Sequence, residues 1–457
     1  MLLATSLLRY HDRVSLKANS DGWTVLLHLS DIHFRRSLDK NSYAVQKDIQ
    51  NEIRRDAARL CKDTGRPDAI LVCGDVAFSG QTSEFEEALQ WLAQLADDTG
   101  TPPAQVFTIP GNHDVQRQVI ESSSLLQMIH KELRPVDPDA VDERLDRYSK
   151  DPEAAELLLR PLANYNSFAA AFECDITAGK PFWEHDLKLN DGTILRLRGL
   201  NSAIPSDETD NDGANKLCVG SQQFTLERID GVEYLVLCHH PPAWLRDQDG
   251  LEDQLNNRAR LQMFGHKHRQ RVTRINNSVR LVAGAVGPPP REPKWQPCYN
   301  FVLIRVQDVP ARTMSVKVHH RVWDEGTAQF KSDGVSDSEY VLPLPAKAAS
   351  HAAAKVEAVH MTPEKVALPA ASKKDNQGGM DARRLLTYGF LTLAYPVRFE
   401  VAQSLGLLDE RDRGLTETET YRLWFRRAAE RDLLAALWDL VEKKHGRTSE
   451  ANPFRKG

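Results

Sequence analysis

The segment VFTIPGNHD, residues 106–114, ends an apolar run with a Pro-Gly pair and then places an amide, an imidazole and a carboxylate side by side. Runs of four to six residues rich in Val, Ile and Leu and bounded by turn residues are typical of β-strands. Asn112, His113 and Asp114 would be ordinary in a polar turn. The alternative is that the turn carries these three side chains for a reaction.

Similar runs recur between residues 23 and 341, separated by polar loops and helical stretches. One intervening segment, residues 84–97, has the apolar spacing of an amphipathic helix. Strands separated by helices predict a layered α/β domain over residues 23–341. The further runs are TVLLHLS, AILVCGD, ILRLRGLNS, EYLVLCHHP, LQMFGHKH, RLVAGA, FVLIRV and SVKVHH.

Composition and helical periodicity divide the rest of the chain. Residues 116–180 contain successive helical patterns without a strand, which predicts a helical insertion in the α/β domain. Residues 342–379 are rich in Ala, Lys and Pro, lack aromatic residues and predict a linker. Residues 380–457 predict a small all-α domain. Residues 1–22 form an N-terminal extension whose apolar stretch is too short for a signal peptide or a membrane span.

The bulk properties are those of an ordinary soluble protein. The 457 residues exceed what one compact core usually holds, so we expect two or more domains. The net charge of −5 does not indicate a nucleic-acid binder, so any basic surface has to be local. Six scattered cysteines without a CxxC pair predict a reducing, cytoplasmic location without structural disulfides. The short apolar start of the chain predicts no membrane partner.

Polar side chains follow five of the predicted strands at their C-terminal ends, where ligands bind in α/β folds. The D-x-H and H-x-H spacings put both members on the same side of an extended segment. Imidazole and carboxylate groups together suit divalent first-row metals. The candidate ligands are Asp31, His33, Asp75, Asn112, one of His239 and His240, His266 and His268.

These side chains predict a two-metal centre, in which Asp75 is the natural bridge because a carboxylate has two oxygens. Two divalent ions about 3.5–4 Å apart bind the oxygens of a phosphate and activate water for attack at phosphorus. His113, beside Asn112, is then free to protonate the leaving oxygen, and Asp114 can orient the His113 imidazole. We therefore expect the turn at residues 111–114 to serve a reaction.

In order along the chain, DIH, GD, GNHD, HHPP and GHKH resemble the motifs of the calcineurin-like metallophosphoesterase superfamily, over about residues 23–341. The resemblance implies a four-layer α/β/β/α sandwich with the dimetal site along one edge. His239 is favoured over His240, because family members place the ligand two residues before a proline. The implied first metal site is Asp31, His33, His268 and Asp75. The implied second site is Asn112, His239, His266 and the shared Asp75, with His113 as the proton donor.

Departures from the family pattern narrow the class. GDVAFSG and GNHD stand where Ser/Thr protein phosphatases have GDxxDRG and GNHE, and the pattern is more similar to the cyclic-nucleotide phosphodiesterase-like branch. The resemblance implies a phosphodiesterase. The mixed nitrogen and oxygen ligands favour two divalent ions, manganese first and iron or zinc as alternatives. The substrate stays open between small phosphodiesters such as cyclic nucleotides and DNA or RNA cleaved by a nuclease. The alternative to an enzyme is a module that senses a phosphorylated ligand without hydrolysing it. The sequence of such a module would lack a metal ligand or the proton donor, and no such loss is visible here.

Several further side chains are candidates for substrate binding. Arg35 and Arg117 could hold a phosphate, with a solvated loop residue or an ion pair as the alternative in each case. His240 could contact the substrate or support a ligand from behind. Residues 258–294 contain nine Lys and Arg residues and a single acid, Glu292. This basic stretch could favour a polyanionic substrate near the GHKH motif, or could be a solvated surface.

Residues 397–446 resemble the small helical, death-like adaptor domains fused to bacterial enzymes in conflict systems. This second resemblance implies a protein partner bound through residues 380–457 and a role in antiviral defence. The alternative is a helical tail that packs on the phosphoesterase domain or dimerises it.

Overall fold

The computed structural model describes residues 22–35, 40–210, 216–287, 296–333, 338–346, 376–409, 412, 417–446 and 452–455. Nearly all of the predicted N-terminal extension and most of the predicted linker lie outside these residues. Within the described part of the chain, no helix combines the length and the apolar character needed to cross a membrane.

Two mixed β-sheets form the centre of the larger domain. In the described residues the strands are β1 (Thr24–Leu29), β2 (Ala69–Cys73), β3 (Val106–Ile109), β4 (Trp183–Lys188), β5 (Ile194–Gly199), β6 (Val232–Cys238), β7 (Ala259–Phe264), β8 (Arg271–Ile275), β9 (Ser278–Val282), β10 (Cys298–Gln307), β11 (Thr313–Asp324), β12 (Gln329–Ser332) and β13 (Ser338–Pro343). The first sheet has the order β12-β11-β10-β1-β2-β3, with β13 paired to β11. The second has the order β4-β5-β6-β7-β9-β8.

The helices lie outside the two sheets and at the C-terminus. They are α1 (Lys40–Thr64), α2 (Thr82–Thr99), α3 (Arg117–Glu121), α4 (Ser124–Leu133), α5 (Val141–Lys150), α6 (Pro152–Leu159), α7 (Ala163–Ala169), α8 (Ser221–Phe224), α9 (Gln248–Arg258), α10 (Asn376–Leu391), α11 (Tyr395–Ser404), α12 (Glu417–Glu430) and α13 (Leu434–Lys444). Helices α3–α7 follow β3 in the region where the sequence predicts an insertion. Helices α10–α13 form the C-terminal helical domain.

Alternating side chains along β6 show how the layers are built. Leu235 and Leu237 belong to the core shared by the two sheets, whereas Tyr234 and Val236 pack with residues of α8 and α9 on the opposite face. Helices α1 and α2 contribute to the core of the first sheet. The predicted α/β fold of two sheets between helical layers, with a helical C-terminal segment, is therefore confirmed.

Central strands are largely apolar, because both of their faces are covered. All six residues of β1 are buried, and β1 pairs with β2 in parallel. Parallel strands buried on both faces have this continuous apolar pattern. The sequence pattern did not indicate β4, β8, β12 or β13, and β4 and β8 are the two edges of the second sheet.

Acidification should destabilise the fold through His28 on β1. This side chain is fully buried, and its Nδ1 accepts a hydrogen bond from Asn300 Nδ2 at 3.2 Å. Burial and the nearby His320 lower the pKa of His28 to about 4, whereas the pKa in the unfolded chain is about 6.5. Between about pH 6.5 and pH 4, His28 binds a proton in the unfolded chain but not in the folded protein. The free energy of unfolding therefore falls by about 1.4 kcal/mol per pH unit as the pH drops through this range.

Urea unfolding of metal-free protein between pH 7 and pH 4.5 measures this contribution. We expect His28→Gln to flatten the pH dependence of the unfolding free energy by about one proton per chain. An unchanged slope in the variant would contradict the assignment to His28.

Candidate metal centre

The loops after β1, β2, β3, β6 and β7 meet at one edge of the sandwich. Backbone hydrogen bonds from Asp31 N to Gly74 O (3.1 Å) and from His33 N to Asp75 O (3.0 Å) continue the pairing of β1 with β2 into these loops. A bond from Gly287 N to Asp31 O, at 2.9 Å, ties the segment after β9 to the same edge. The candidate side chains of both sheets therefore share one rigid frame.

The backbone around these side chains is strained. The φ angles of candidate ligands lie between 52° and 66° at Asp31, His33, Asp75, His266 and His268. Left-handed conformations cost residues other than glycine of order 1–3 kcal/mol each where the environment must enforce them. Five of the nine such residues in the described chain are candidate ligands, so the strain is concentrated at one place.

Glycines in the motifs allow the loops to approach one another. A Cβ atom added to Gly111 would lie 2.2 Å from Asp75 Oδ1, and one added to Gly265 would lie 2.3 Å from Ser30 Oγ. Both distances are too short for non-bonded atoms. Steric exclusion therefore requires glycine before Asn112 and before His266.

Asp75 lies between imidazoles of the two sheets. Its Oδ2 is 3.3 Å from His33 Nε2 and 3.2 Å from His239 Nε2. Next to this group, His268 Nε2 lies 3.2 Å from Asp31 Oδ1. One carboxylate therefore contacts the candidate first site through His33 and the candidate second site through His239.

The remaining candidates gather around Asn112. Its Oδ1 lies 3.1 Å from both His240 Nε2 and His266 Nδ1. The rings of His239, His240 and His266 offer nitrogen atoms within 4.8 Å of one another. The structure thus brings together all seven residues that the sequence predicted as ligands, and adds His240 to the second group.

Backbone carbonyls fix the orientation of two of the imidazoles. His33 Nδ1 lies 3.0 Å from Gly287 O, and His239 Nδ1 lies 2.7 Å from Cys73 O. With Nδ1–H donating to a carbonyl, each ring is held with Nε2 towards Asp75. This arrangement is the usual support of a metal-binding histidine.

The residues present fit a pair of divalent cations. Asp31 Oδ1 and His239 Nε2 are buried and make no hydrogen bond of good geometry to the described residues, although His268 Nε2 and Asp75 Oδ2 lie 3.2 Å from them. Buried polar atoms without partners are costly. Imidazole, carboxylate and amide oxygen together are a donor set for first-row divalent metals.

Asp75 and His239 strongly perturb each other's pKa. Burial would raise the pKa of Asp75, but the neighbouring His239 and His113 hold it well below its usual value. For His239, burial is likewise outweighed by Asp75, which raises the pKa to about 10. A cation that binds there has to displace a proton from His239.

His113 lies beside the candidate ligands and is held by Phe78. Its Nδ1–H donates to Phe78 O at 2.7 Å, and its ring stacks on the Phe78 ring with centroids 5.1 Å apart. Its backbone N–H donates to Asp75 Oδ1 at 2.7 Å. Burial, together with the nearby His33 and Arg117, lowers the pKa of His113 to about 4.

The sequence predicted that Asp114 orients the His113 imidazole, but in the structure Phe78 O accepts the hydrogen bond of His113 and Asp114 bonds to backbone groups. Its two oxygens accept backbone hydrogen bonds from Ala77 N at 2.8 Å and Gly111 N at 2.9 Å. The short 3-10 turn over Asn112–Asp114 buries this carboxylate between the loops after β2 and β3. Burial and the charge of Asp75 raise the pKa of Asp114 to about 8.

The predicted substrate-binding residues have different surroundings. His240 is fully buried, with Nδ1 2.8 Å from Ser202 Oγ, and it contacts Asn112, which favours a supporting role. Arg35 is 5% exposed, its guanidinium lies 3.7 Å from the Phe78 ring centroid, and its Nε and Nη2 make no hydrogen bond to the described residues. Arg117, half-buried at the start of α3, lies close enough to influence the pKa of His113.

Four neighbouring residues were not identified from the sequence. Ser30 Oγ lies 2.5 Å from Asp31 Oδ2, and the Trp244 ring centroid is 4.2 Å from that of His266. Phe78 and Ser202 hold His113 and His240, as described above. Ser202 lies just beyond the end of β5, so the strand-end pattern carried a signal for it.

The basic stretch separates into two groups. Arg260 pairs with Glu233, and Arg280 pairs with Glu252, each at 2.8 Å. Lys267, Arg269 and Arg271 are exposed. Arg269 and Arg271 line a cavity of about 410 Å³ that begins at His268 and also includes Asp333 and Tyr340. Residues 288–294 of the stretch lie outside the described residues.

Two family models match the chain. Residues 24–270 match the model described as calcineurin-like phosphoesterase, and residues 382–443 match the GTPase-associated adaptor domain. A search of curated proteins gave no match.

Solved structures with related folds have low sequence identity to this chain. Vacuolar protein sorting 29 from Cryptosporidium parvum is 12% identical, with coverage of 70% of this chain and 99% of that chain and a TM-score of 0.30. Vps29 from Chaetomium thermophilum is 10% identical, with coverage of 70% and 100% and a TM-score of 0.29. A purple acid phosphatase from yellow lupin (Lupinus luteus) seeds is 10% identical, with coverage of 72% and 55% and a TM-score of 0.36.

The phosphoesterase match spans more than half of the 457 residues and includes each of the five motifs. The adaptor match falls on the C-terminal helices. The chain therefore belongs to the calcineurin-like phosphoesterase family and carries a GTPase-associated adaptor domain at its C-terminal end.

Proposed function

We propose that this protein is a dimetal phosphodiesterase, with residues 23–341 as its catalytic domain. The observation that carries the proposal is the position of Asp75 between His33 and His239, because one carboxylate then joins two ligand groups. The first group is Asp31, His33, His268 and Asp75. The second group is Asn112, His239, His266 and Asp75. Manganese is the proposed metal, with iron and zinc compatible with the same donor atoms.

The protein's own groups then position the phosphate and supply a proton. When bound, two divalent cations supply Lewis acidity at the phosphate oxygens and an activated water. His113 holds the proton for the leaving oxygen at Nε2, because its Nδ1 is occupied by Phe78 O. A phosphodiester anion beside the ring favours the protonated form and so opposes the effect of burial. Arg117 and, after a rotation of its side chain, Arg35 are the proposed phosphate contacts.

The proposed substrate is a nucleotide or nucleic acid. One proposed ligand, His268, lines the same cavity as the exposed Arg269 and Arg271. Exposed arginines along such a path favour a chain with several phosphates over a single small ester. Cyclic nucleotides are the alternative, since they need only the metal centre and the nearest contacts.

The C-terminal domain is proposed to recruit a protein partner through residues 380–457, in a bacterial defence system in the cytoplasm. The match to a GTPase-associated adaptor domain supports the partner. All six cysteines are buried and free, which is compatible with a reducing compartment.

Replacement of Asp75 by Asn should nearly abolish turnover. The amide cannot supply the negative charge that the two ligand groups share, and a loss of several kcal/mol in transition-state stabilisation corresponds to at least about a thousandfold in kcat. Hydrolysis of bis-p-nitrophenyl phosphate with added manganese, together with metal analysis of the purified variant, provides the measurement. Asp249→Asn, an exposed site on α9, is the matched control. Near-normal turnover in Asp75→Asn would refute the shared-carboxylate assignment.

Replacement of His113 by Ala should slow turnover while metal is retained. Loss of a general acid typically costs about 10²- to 10⁴-fold in rate, and no ligand is removed in the proposed arrangement. The same ester assay and metal analysis are used, with His33→Ala as the comparison that should lose metal. If His113→Ala emptied the site, the division of roles between His113 and Asn112 would be incorrect.

Arg269→Gln/Arg271→Gln should weaken cleavage of single-stranded oligonucleotides while hydrolysis of bis-p-nitrophenyl phosphate is unchanged. Two lost phosphate contacts reduce the slope of log affinity against log salt by about 1.4 for a single strand. Arg274→Gln is the matched control, because Arg274 lies on β8 with Arg271 but does not line the cavity. Equal oligonucleotide affinity and salt slope in the double variant would argue for the small-substrate alternative.

A further inference from the structure

Strand β3 is an open edge of the first sheet. Among the described residues it pairs with β2 alone and is the last strand in the sheet order. Unpaired carbonyl groups at a sheet edge need partners or a cover. In this protein side chains provide them, since Thr108 O accepts from Trp183 Nε1 at 2.9 Å and Val106 O accepts from Arg384 Nη2 at 3.2 Å.

Arg384 comes from the C-terminal domain, on α10, yet its side chain is only 3% exposed. The same Nη2 donates to Phe172 O at 2.9 Å, at the end of the helical region that follows β3. The guanidinium carbon lies 4.5 Å from the centroid of the Phe107 ring. Burial of a cation is costly unless hydrogen-bond acceptors surround it. The two backbone carbonyls therefore define a specific position for the Arg384 guanidinium.

Other contacts join the same two surfaces. Arg422 on α12 forms an ion pair with Asp175, and the rings of Tyr388 and Phe172 have centroids 6.1 Å apart. Leu386 on α10 is fully buried in the core that also contains the residues of β3. The C-terminal helices therefore pack against the phosphoesterase domain through apolar and charged contacts together.

The strand held by Arg384 leads directly to the metal centre. β3 is four residues long, and Asn112 and His113 follow its last residue, Ile109, by three and four positions. A displacement of such a short strand is transmitted to the turn that follows it, because Pro110 and Gly111 are the only residues between them. Metal centres are sensitive to displacements of their supporting groups.

We infer that the C-terminal helical domain is a positioning element of the metal centre, with Arg384 as the positioning residue that fixes β3 and thereby Asn112 and His113. The inference rests on the proposed function for the roles of Asn112 and His113. It follows that the phosphoesterase domain is incomplete without α10. It also follows that a partner that displaces α10 would weaken the second metal site.

Hydrogen exchange and metal titration of the full-length chain test this inference. For Arg384→Ala we expect faster amide exchange over residues 106–114 and a loss of at least about tenfold in affinity for the more weakly bound Mn²⁺, with kcat lowered more than KM for bis-p-nitrophenyl phosphate. Arg431→Ala is the matched control, because Arg431 is exposed and its guanidinium donates to Gly406 O within the C-terminal domain. It should leave both measurements unchanged.

Arg384→Lys keeps the charge but loses the planar fork, so an intermediate effect is expected. This variant decides the outcome if Arg384→Ala fails to fold. Wild-type exchange over residues 106–114 and wild-type Mn²⁺ affinity in a folded Arg384 variant would overturn the inference. Exchange and titration need no substrate, so an inactive wild-type protein would overturn the proposed function and leave this test intact.

Discussion

One buried carboxylate, Asp75, has to face imidazoles from two different sheets. The contacts to His33 and His239 are possible only if the loops after β1, β2 and β6 approach within a few ångströms. Glycines at the approach points remove the Cβ atoms that would otherwise collide. The sandwich therefore has to close tightly at this edge, and the close packing of the core between the sheets provides that closure.

The left-handed residues of the site would be unfavourable in an isolated loop. They are held by backbone hydrogen bonds between loops, such as the bond from Gly265 N to His239 O at 3.0 Å. Strain of this kind persists only where the surrounding structure enforces it. The Arg384 contact extends the same support to β3, because it satisfies the outer edge of the strand that leads to Asn112.

Central strands were predictable because burial on both faces requires continuous apolar side chains. The central strands β1 and β2 have largely apolar sequences, as does the edge strand β3, which is fully buried, and all three were located from sequence within one or two residues. β4 and β8 lie at sheet edges with exposed positions along their length, so their sequences do not differ from those of polar loops. The convergence of the candidate ligands was predictable for a related reason, since parallel strands deliver their C-terminal residues to one edge.

The sequence by itself determined the α/β class, the ordered strand-end motifs and six of the seven candidate ligands, because strand burial and ligand chemistry leave local patterns of residue type. The family resemblance added the choice of His239 over His240. Only the tertiary structure decided that Phe78 rather than Asp114 accepts the hydrogen bond of His113, that His240 supports Asn112, and that Arg384 covers β3. These contacts join residues between 35 and 278 positions apart. Such pairs are set by how the sheets and helices pack, and no local periodicity encodes them.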